Sequence, residues 1–152
     1  MPCSQEDSKP QEPSLDHCLE QACHTHEEII AAYVFGSQAT GEAGPRSDVD
    51  VAVLLDEDRQ QEFDSLQFIV DLENILERNV DLVVLNHSGE PIKHQVRRDG
   101  RIVFDRDPKR RKHWEIMSTK FYQDVLHLHA IYMQGMKKAL RSSSSGNNRS
   151  KF

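Results

Sequence analysis

The apolar residues of this 152-residue chain recur in two rhythms, one helical and one of short continuous runs. After Pro13-Ser14, the residues Leu15, Leu19, Ala22 and Ile29 or Ile30 fall at roughly helical spacing, which predicts a helix through His26. Two short apolar runs follow, 31–35 and 49–55, each bounded by turn residues, and both read as buried strands. The polar stretch 56–62 opens a second long helix. Its stripe is Phe63, Leu66, Ile69, Val70, Leu72, Ile75 and Leu76, and Arg78-Asn79 ends it. A third strand is predicted at 80–85, a turn at 86–89 and a short helix at 90–98 stopped by Asp99-Gly100. Residues 101–105 read as a fourth strand at a sheet edge. Asp107-Pro108 then caps and opens a last helix that runs to about Leu140. Met117, Phe121, Val125, Leu128, Ile131 or Tyr132, Met136 and Leu140 form the apolar side of that helix. The expected class is α/β (α+β), a small mixed sheet flanked by helices with a long C-terminal helix. Residues 14–141 form one domain between two flexible tails, 1–13 and 142–152, both poor in apolar residues.

Charge narrows the function. The chain carries 25 Asp and Glu against 19 Lys and Arg, a net charge of −6, which argues against direct nucleic-acid binding. No apolar run approaches the ~20 residues of a membrane helix, and the N-terminus lacks a basic-then-apolar leader. The expected location is cytoplasmic. The three cysteines agree, being odd in number and without a C-x-x-C pair. His17, Cys18, Cys23, His24 and His26 cluster, but they lie on the first predicted helix and no second ligand group of matching spacing appears. They read as helix residues rather than a zinc site.

The chemistry concentrates in residues 36–50, between the first two predicted strands. Asp48 and Asp50 share one face at the start of the second strand, because strand side chains alternate. Two carboxylates so close repel unless a cation lies between them, and an oxygen-only pair suits Mg²⁺. Taken alone, such a pair reads first as solvated carboxylates at a strand end, since D-x-D is common by chance. Gly36 lets backbone N–H groups approach an anion closely, and Ser37 can cap a helix or donate to a phosphate oxygen. Taken alone, Gly36-Ser37 is also an ordinary turn. A phosphate cradle on one strand facing a carboxylate pair on the next is what nucleotidyl transfer needs.

Gly36-Ser37, ten residues, then Asp48-Val49-Asp50 resembles the signature of the DNA polymerase beta-type nucleotidyltransferase superfamily. The family's third carboxylate, on a later strand, is matched by Asp81 in Asn79-Val80-Asp81-Leu82. Within the superfamily the chain is most similar to minimal nucleotidyltransferases, specifically the MntA-type antitoxins of HEPN/MNT toxin–antitoxin pairs, over about residues 15–141. The resemblance implies a nucleotidyltransferase fold and catalysis by Asp48, Asp50 and Asp81, which hold Mg²⁺, two ions in all. Gly36 and Ser37 would hold the phosphates of ATP. It further implies transfer of AMP to a tyrosine of a HEPN-family ribonuclease toxin, in a hetero-oligomer.

Many relatives place arginine in the segment after Gly-Ser; here Gln38 and Thr40 stand there, and Arg46 is the only arginine before Asp48. That departure bears on phosphate grip more than on fold. Lys109, Arg110, Arg111 and Lys112 sit at a predicted helix N-terminus, where the helix dipole disfavours cations; they read first as a solvated patch and otherwise as a seat for an acidic partner or phosphate. Arg97, Arg98 and Arg101 are left as residues that could line the cleft. Two rival readings stay open: an antitoxin that neutralises by binding alone, and an enzyme that modifies a small molecule.

Overall fold

The computed structural model describes residues 12–44 and 47–145. Most of the N-terminal tail, Arg46 and the last seven residues of the C-terminal tail lie outside them. The chain divides into two units, 1–112 and 113–152.

In the first unit, α1 (Leu15–His24) opens on Ser14, whose hydroxyl accepts from the His17 N–H at 3.2 Å. β1 (Ile29–Phe35), β2 (Val49–Leu55), β3 (Val80–Val84) and β4 (Arg101–Asp105) form one mixed sheet in the order β3-β2-β1-β4. β1 runs antiparallel to β2 and β4, and β2 runs parallel to β3. The two central strands are apolar almost throughout because both their faces are covered. On one face Ala32, Val34, Val49, Val51 and Val53 pack with Leu19 and Cys23 of α1 and with Phe68 and Leu72 of α3 (Ser65–Leu76). That cluster is the core. Burial within it pushes the Cys23 thiol up to about 12, so this cysteine is an inert packing residue. A four-residue turn of helix, α2 (Ser37–Thr40), follows β1, and α4 (Glu90–Asp99) precedes the edge strand β4.

Two expected boundaries move. The first helix ends at His24, and Ile29 and Ile30 begin β1 rather than continue the helical stripe. The cause is distant in sequence. The Arg106 guanidinium donates to the carbonyls of Cys23, His24, Ile29 and His26 at 3.0–3.3 Å, and its own N–H bonds Ile30 at 2.7 Å. It thereby satisfies the carbonyls that a helix end leaves open. Arg106→Ala should cost about 2–3 kcal/mol, since four carbonyls lose a charged donor at once, those of Ile29 and Cys23 partly buried; urea unfolding measures it.

The second helix also starts later than expected. Residues 60–62 form a single 3-10 turn, and Phe63 is extended and buried against Phe68, with ring centroids 5.2 Å apart. The helix opens only at Asp64, whose carboxylate accepts from the Gln67 N–H at 3.1 Å. The stripe was periodic across this break because a buried strand-like residue and a helix residue both read as apolar.

The basic run is partly absorbed by the fold. α5 (Pro108–Ser145) starts at the predicted cap, with Asp107 accepting from the Arg110 N–H at 3.2 Å. Arg110 then grips Asp56 with two hydrogen bonds, of 3.0 and 3.2 Å, and Arg111 binds Asp105 at 2.8 Å. Arg98 pairs with Asp99, and Arg101 with Asp16 at 2.7 Å. The clustered histidines likewise separate: His24 meets the Phe104 ring edge-on, and His26 meets Phe63 and Phe68 and pairs with Glu28 at 3.1 Å.

The second unit is the rest of α5, a single helix that continues past Leu140 to Ser145. No helix among the described residues is long and apolar enough to cross a membrane.

Candidate active site

The sheet register brings the candidate residues together at one end of three strands. β1 ends at Phe35, which lies opposite Asp50 of β2, and Asp50 lies beside Asp81 of β3. Gly36 follows immediately, with φ +67° and ψ −146°, a conformation open to glycine and strained for any other residue. The turn at Gly36 brings its backbone against the Asp50 carboxylate. A Cβ built on Gly36 would overlap Asp50 Oδ2 and stand 3.2 Å from its Cγ. Glycine is required here twice, by backbone angle and by contact.

α2 begins directly at Ser37. The N–H groups of Ala39 and Thr40 both reach the Gly36 carbonyl at 3.2 Å, so the turn is wound tightly on Gly36. The N–H groups of Ser37 and Gln38 open the turn, where a helix offers donors without an internal acceptor. The Gln38 side chain adds a further donor: its Nε2 is buried and meets no acceptor among the described residues. Gly41, at φ +79°, closes the turn and returns the chain toward β2.

Asp48 and Asp81 are exposed and Asp50 is half-buried. Partial burial pushes the Asp50 carboxyl above the usual carboxylate range, and the charges of Asp81 and then Asp48 push it further the same way. The three groups therefore share one field. Among the described residues, no three His, Cys, Asp or Glu side chains stand close enough together to ligate one ion. The donor set nonetheless fits Mg²⁺. It is all oxygen, it carries excess negative charge, and Mg²⁺ is commonly held by one or two carboxylates with water and substrate phosphates completing the shell.

All five sequence-predicted residues thus belong to one end of the sheet, with Arg98 and Arg101 held elsewhere by their acidic neighbours. The sequence reading noted Gln38 only as a replaced arginine; its buried amide makes it a donor of the same turn.

The family model described as polymerase beta, nucleotidyltransferase matches residues 18–109. The protein adenylyltransferase MntA of Aphanizomenon flos-aquae (strain 2012/KM1/D3) is 35% identical over 81 residues, covering 47% of this chain and 54% of the relative. The match thus spans about half the length of that curated relative. Among solved structures, a chain from a toxin–antitoxin crystal with AMP-PNP superposes with a TM-score of 0.64 at 22% identity, covering 82% of this chain and 98% of its own. A chain from the complex of the tri-AMPylated Shewanella oneidensis HEPN toxin with its MNT antitoxin gives 0.56 at 20% identity, over 83% and 96%. These two likenesses carry the nucleotidyltransferase fold. With more than half its length matched by the family model and the carboxylates arrayed on adjacent strands, the chain belongs to the polymerase beta nucleotidyltransferase family.

Proposed function

We propose that this protein is a Mg²⁺-dependent protein adenylyltransferase. It moves AMP from ATP to a tyrosine hydroxyl of a HEPN-family ribonuclease, and so acts as the antitoxin of a pair. One observation carries the reading: the Asp50 carboxylate lies on the Gly36 backbone and within the field of Asp48 and Asp81. A phosphate chain seated on the Gly36 turn is thereby brought beside the carboxylates. The MntA relative is an adenylyltransferase, and structural neighbours come from HEPN–MNT and AMP-PNP complexes, which supports this choice of donor and acceptor.

Ser37 and Gln38 would donate N–H groups to the β- and γ-phosphates, with Gln38 Nε2 finding there the acceptor it lacks in the fold. Asp48, Asp50 and Asp81 would hold two Mg²⁺ ions, which supply charge neutralisation at the triphosphate and a lowered pKa of the acceptor hydroxyl. The tyrosine oxygen bonds to the α-phosphorus, the bond from that phosphorus to the bridging oxygen breaks, and pyrophosphate leaves. Asp81, the most open of the strand-borne carboxylates, receives the hydroxyl proton and passes it to water. Positioning and charge compensation account for most of the acceleration.

The test is the intact mass of the HEPN partner after incubation with this protein, ATP and Mg²⁺. The partner should gain AMP with the native chain and none with Asp48→Asn/Asp50→Asn. Equal toxin suppression by both chains without a mass gain would leave inhibition by binding alone. Modification of a small hydroxylated amine without any protein partner would leave the small-molecule reading.

A further inference from the structure

The turn from α3 to β3 delivers Asp81 to the site, and one side chain governs that turn. Phe68 and Leu72 are fully buried in the core and fix α3 on the sheet. Glu73, the next residue, is half-buried. Its carbonyl accepts the Glu77 N–H at 2.9 Å and so closes the helix. Its carboxylate accepts the Val80 N–H at 3.1 Å, seven residues further on. A single residue thus ties both ends of the turn, the left-handed cap at Glu77 and the first residue of β3.

The second of these bonds falls on a peptide unit that also touches the carboxylate pair. The Asn79 carbonyl, at the other edge of the same peptide, accepts the Val49 N–H at 2.9 Å. Val49 lies between Asp48 and Asp50, and Val80 immediately precedes Asp81. The C=O and N–H of a trans peptide point in opposite directions. With the carbonyl turned to β2, the Val80 N–H therefore turns away from it. β3 is an outer strand of the sheet, and among the described residues no further strand lies beyond it to accept that N–H. Val80 is itself buried, so the donor needs a partner from the protein. Glu73 supplies one. A carboxylate acceptor makes the stronger class of hydrogen bond, and it polarises the peptide toward a firmer bond with Val49.

We propose that Glu73 is a positioning residue of this site, which sets Asp81 against Asp48 and Asp50 by gripping the Asn79–Val80 peptide. That these carboxylates hold Mg²⁺ for AMP transfer rests on the reading above; the grip on the peptide does not. Glu73 acts through Val80. Without its acceptor the first peptide of β3 loosens, Asp81 drifts from its register beside Asp50, and the strands no longer present their carboxylates to one ion.

The experiment compares Glu73→Ala, which removes the acceptor, with Glu73→Gln, whose side-chain carbonyl can accept the same N–H. In the full-length chain, hydrogen exchange at the Val80 amide should quicken in Glu73→Ala and stay slow in Glu73→Gln. MgATP, titrated by calorimetry with the partner absent, should bind Glu73→Ala about 10-fold or more weakly, the usual loss when a group supporting a metal ligand is removed. Glu73→Gln should stay within about threefold of the native chain, since a neutral acceptor keeps the geometry with a weaker bond. Asp64→Ala removes the cap at the other end of the same helix and should leave MgATP affinity unchanged. In AMP transfer, Glu73→Ala should lower kcat and raise the Mg²⁺ requirement, with KM for the HEPN partner unaltered. Undiminished MgATP affinity in Glu73→Ala overturns the proposal. So does Glu73→Gln as weak as Glu73→Ala, which would assign the effect to charge rather than to the hydrogen bond. An equal loss in Asp64→Ala overturns it too, by assigning the effect to helix stability. MgATP affinity that follows Glu73 upholds the proposal even where the chain moves no AMP to the partner. AMP transfer indifferent to Glu73 overturns the proposal alone, and a native chain that binds no MgATP overturns both readings.

Discussion

Gly36→Ala should lower AMP transfer by about 10²-fold or more and destabilise the protein by about 2–4 kcal/mol. Two independent costs meet at this residue. The backbone at φ +67° and ψ −146° costs a non-glycine residue about 1–3 kcal/mol. The new methyl group also enters the space of Asp50 Oδ2, and overpacking of this kind costs about 1–3 kcal/mol. Relief of the overlap moves the carboxylate away from its partners, and a displacement of about 1 Å suffices for a 10²-fold loss of rate. The two costs separate in a double-mutant cycle. Asp50→Ala in the Gly36→Ala background should restore the share due to overlap and leave the share due to backbone strain. Additive denaturation energies would refute the contact.

Asp50→Asn should abolish most activity, by about 10³-fold, and at the same time stabilise the protein. The native carboxylate is half-buried and repelled by Asp81 and Asp48, so its pKa is raised. A carboxyl group whose folded pKa exceeds its unfolded pKa penalises the fold at every pH above the folded value. The penalty fades as pH falls through that raised value and is gone only well below the ordinary carboxylate pKa, where both states are protonated. The amide variant carries no such penalty. Its melting temperature should exceed that of the native chain by about 1–3 °C near neutral pH, a margin scaled to exposed like charges, and the margin should vanish on acidification. Addition of Mg²⁺ with ATP should reverse the order, since cation binding stabilises more strongly the chain that keeps the carboxylate. A less stable Asp50→Asn protein at pH 7 would contradict this electrostatic account.

These two residues also mark what could be read from sequence. Asp48, Asp50 and Gly36 were legible because their chemistry is local: a glycine after an apolar run, two carboxylates with strand spacing. Asp81 was legible only through family likeness, and the parallel pairing of Val49–Val53 with Val80–Val84 gives it a physical basis. The helix ends were less legible, for a physical reason. Arg106 fixes the start of β1 from more than seventy residues away, and no periodicity encodes such a clasp. Phe63 misled because burial, not helix geometry, makes it apolar. Glu77 hid the end of α3, taking up the left-handed C-cap, φ +54°, that usually goes to glycine. The basic run at 109–112 read as a surface patch because its partners Asp56 and Asp105 come from other elements.

The central claim is that the carboxylates on β2 and β3 and the Gly36 turn together transfer a nucleotide to protein. It is tested most directly with ATP labelled at either the α- or the γ-phosphorus, in the presence of Mg²⁺ and the HEPN partner. The account predicts that the α-label becomes covalently bound to a partner tyrosine, that the γ-label leaves with pyrophosphate, and that Asp50→Asn abolishes labelling. Transfer of the γ-label, or α-labelling undiminished in Asp50→Asn, would contradict it.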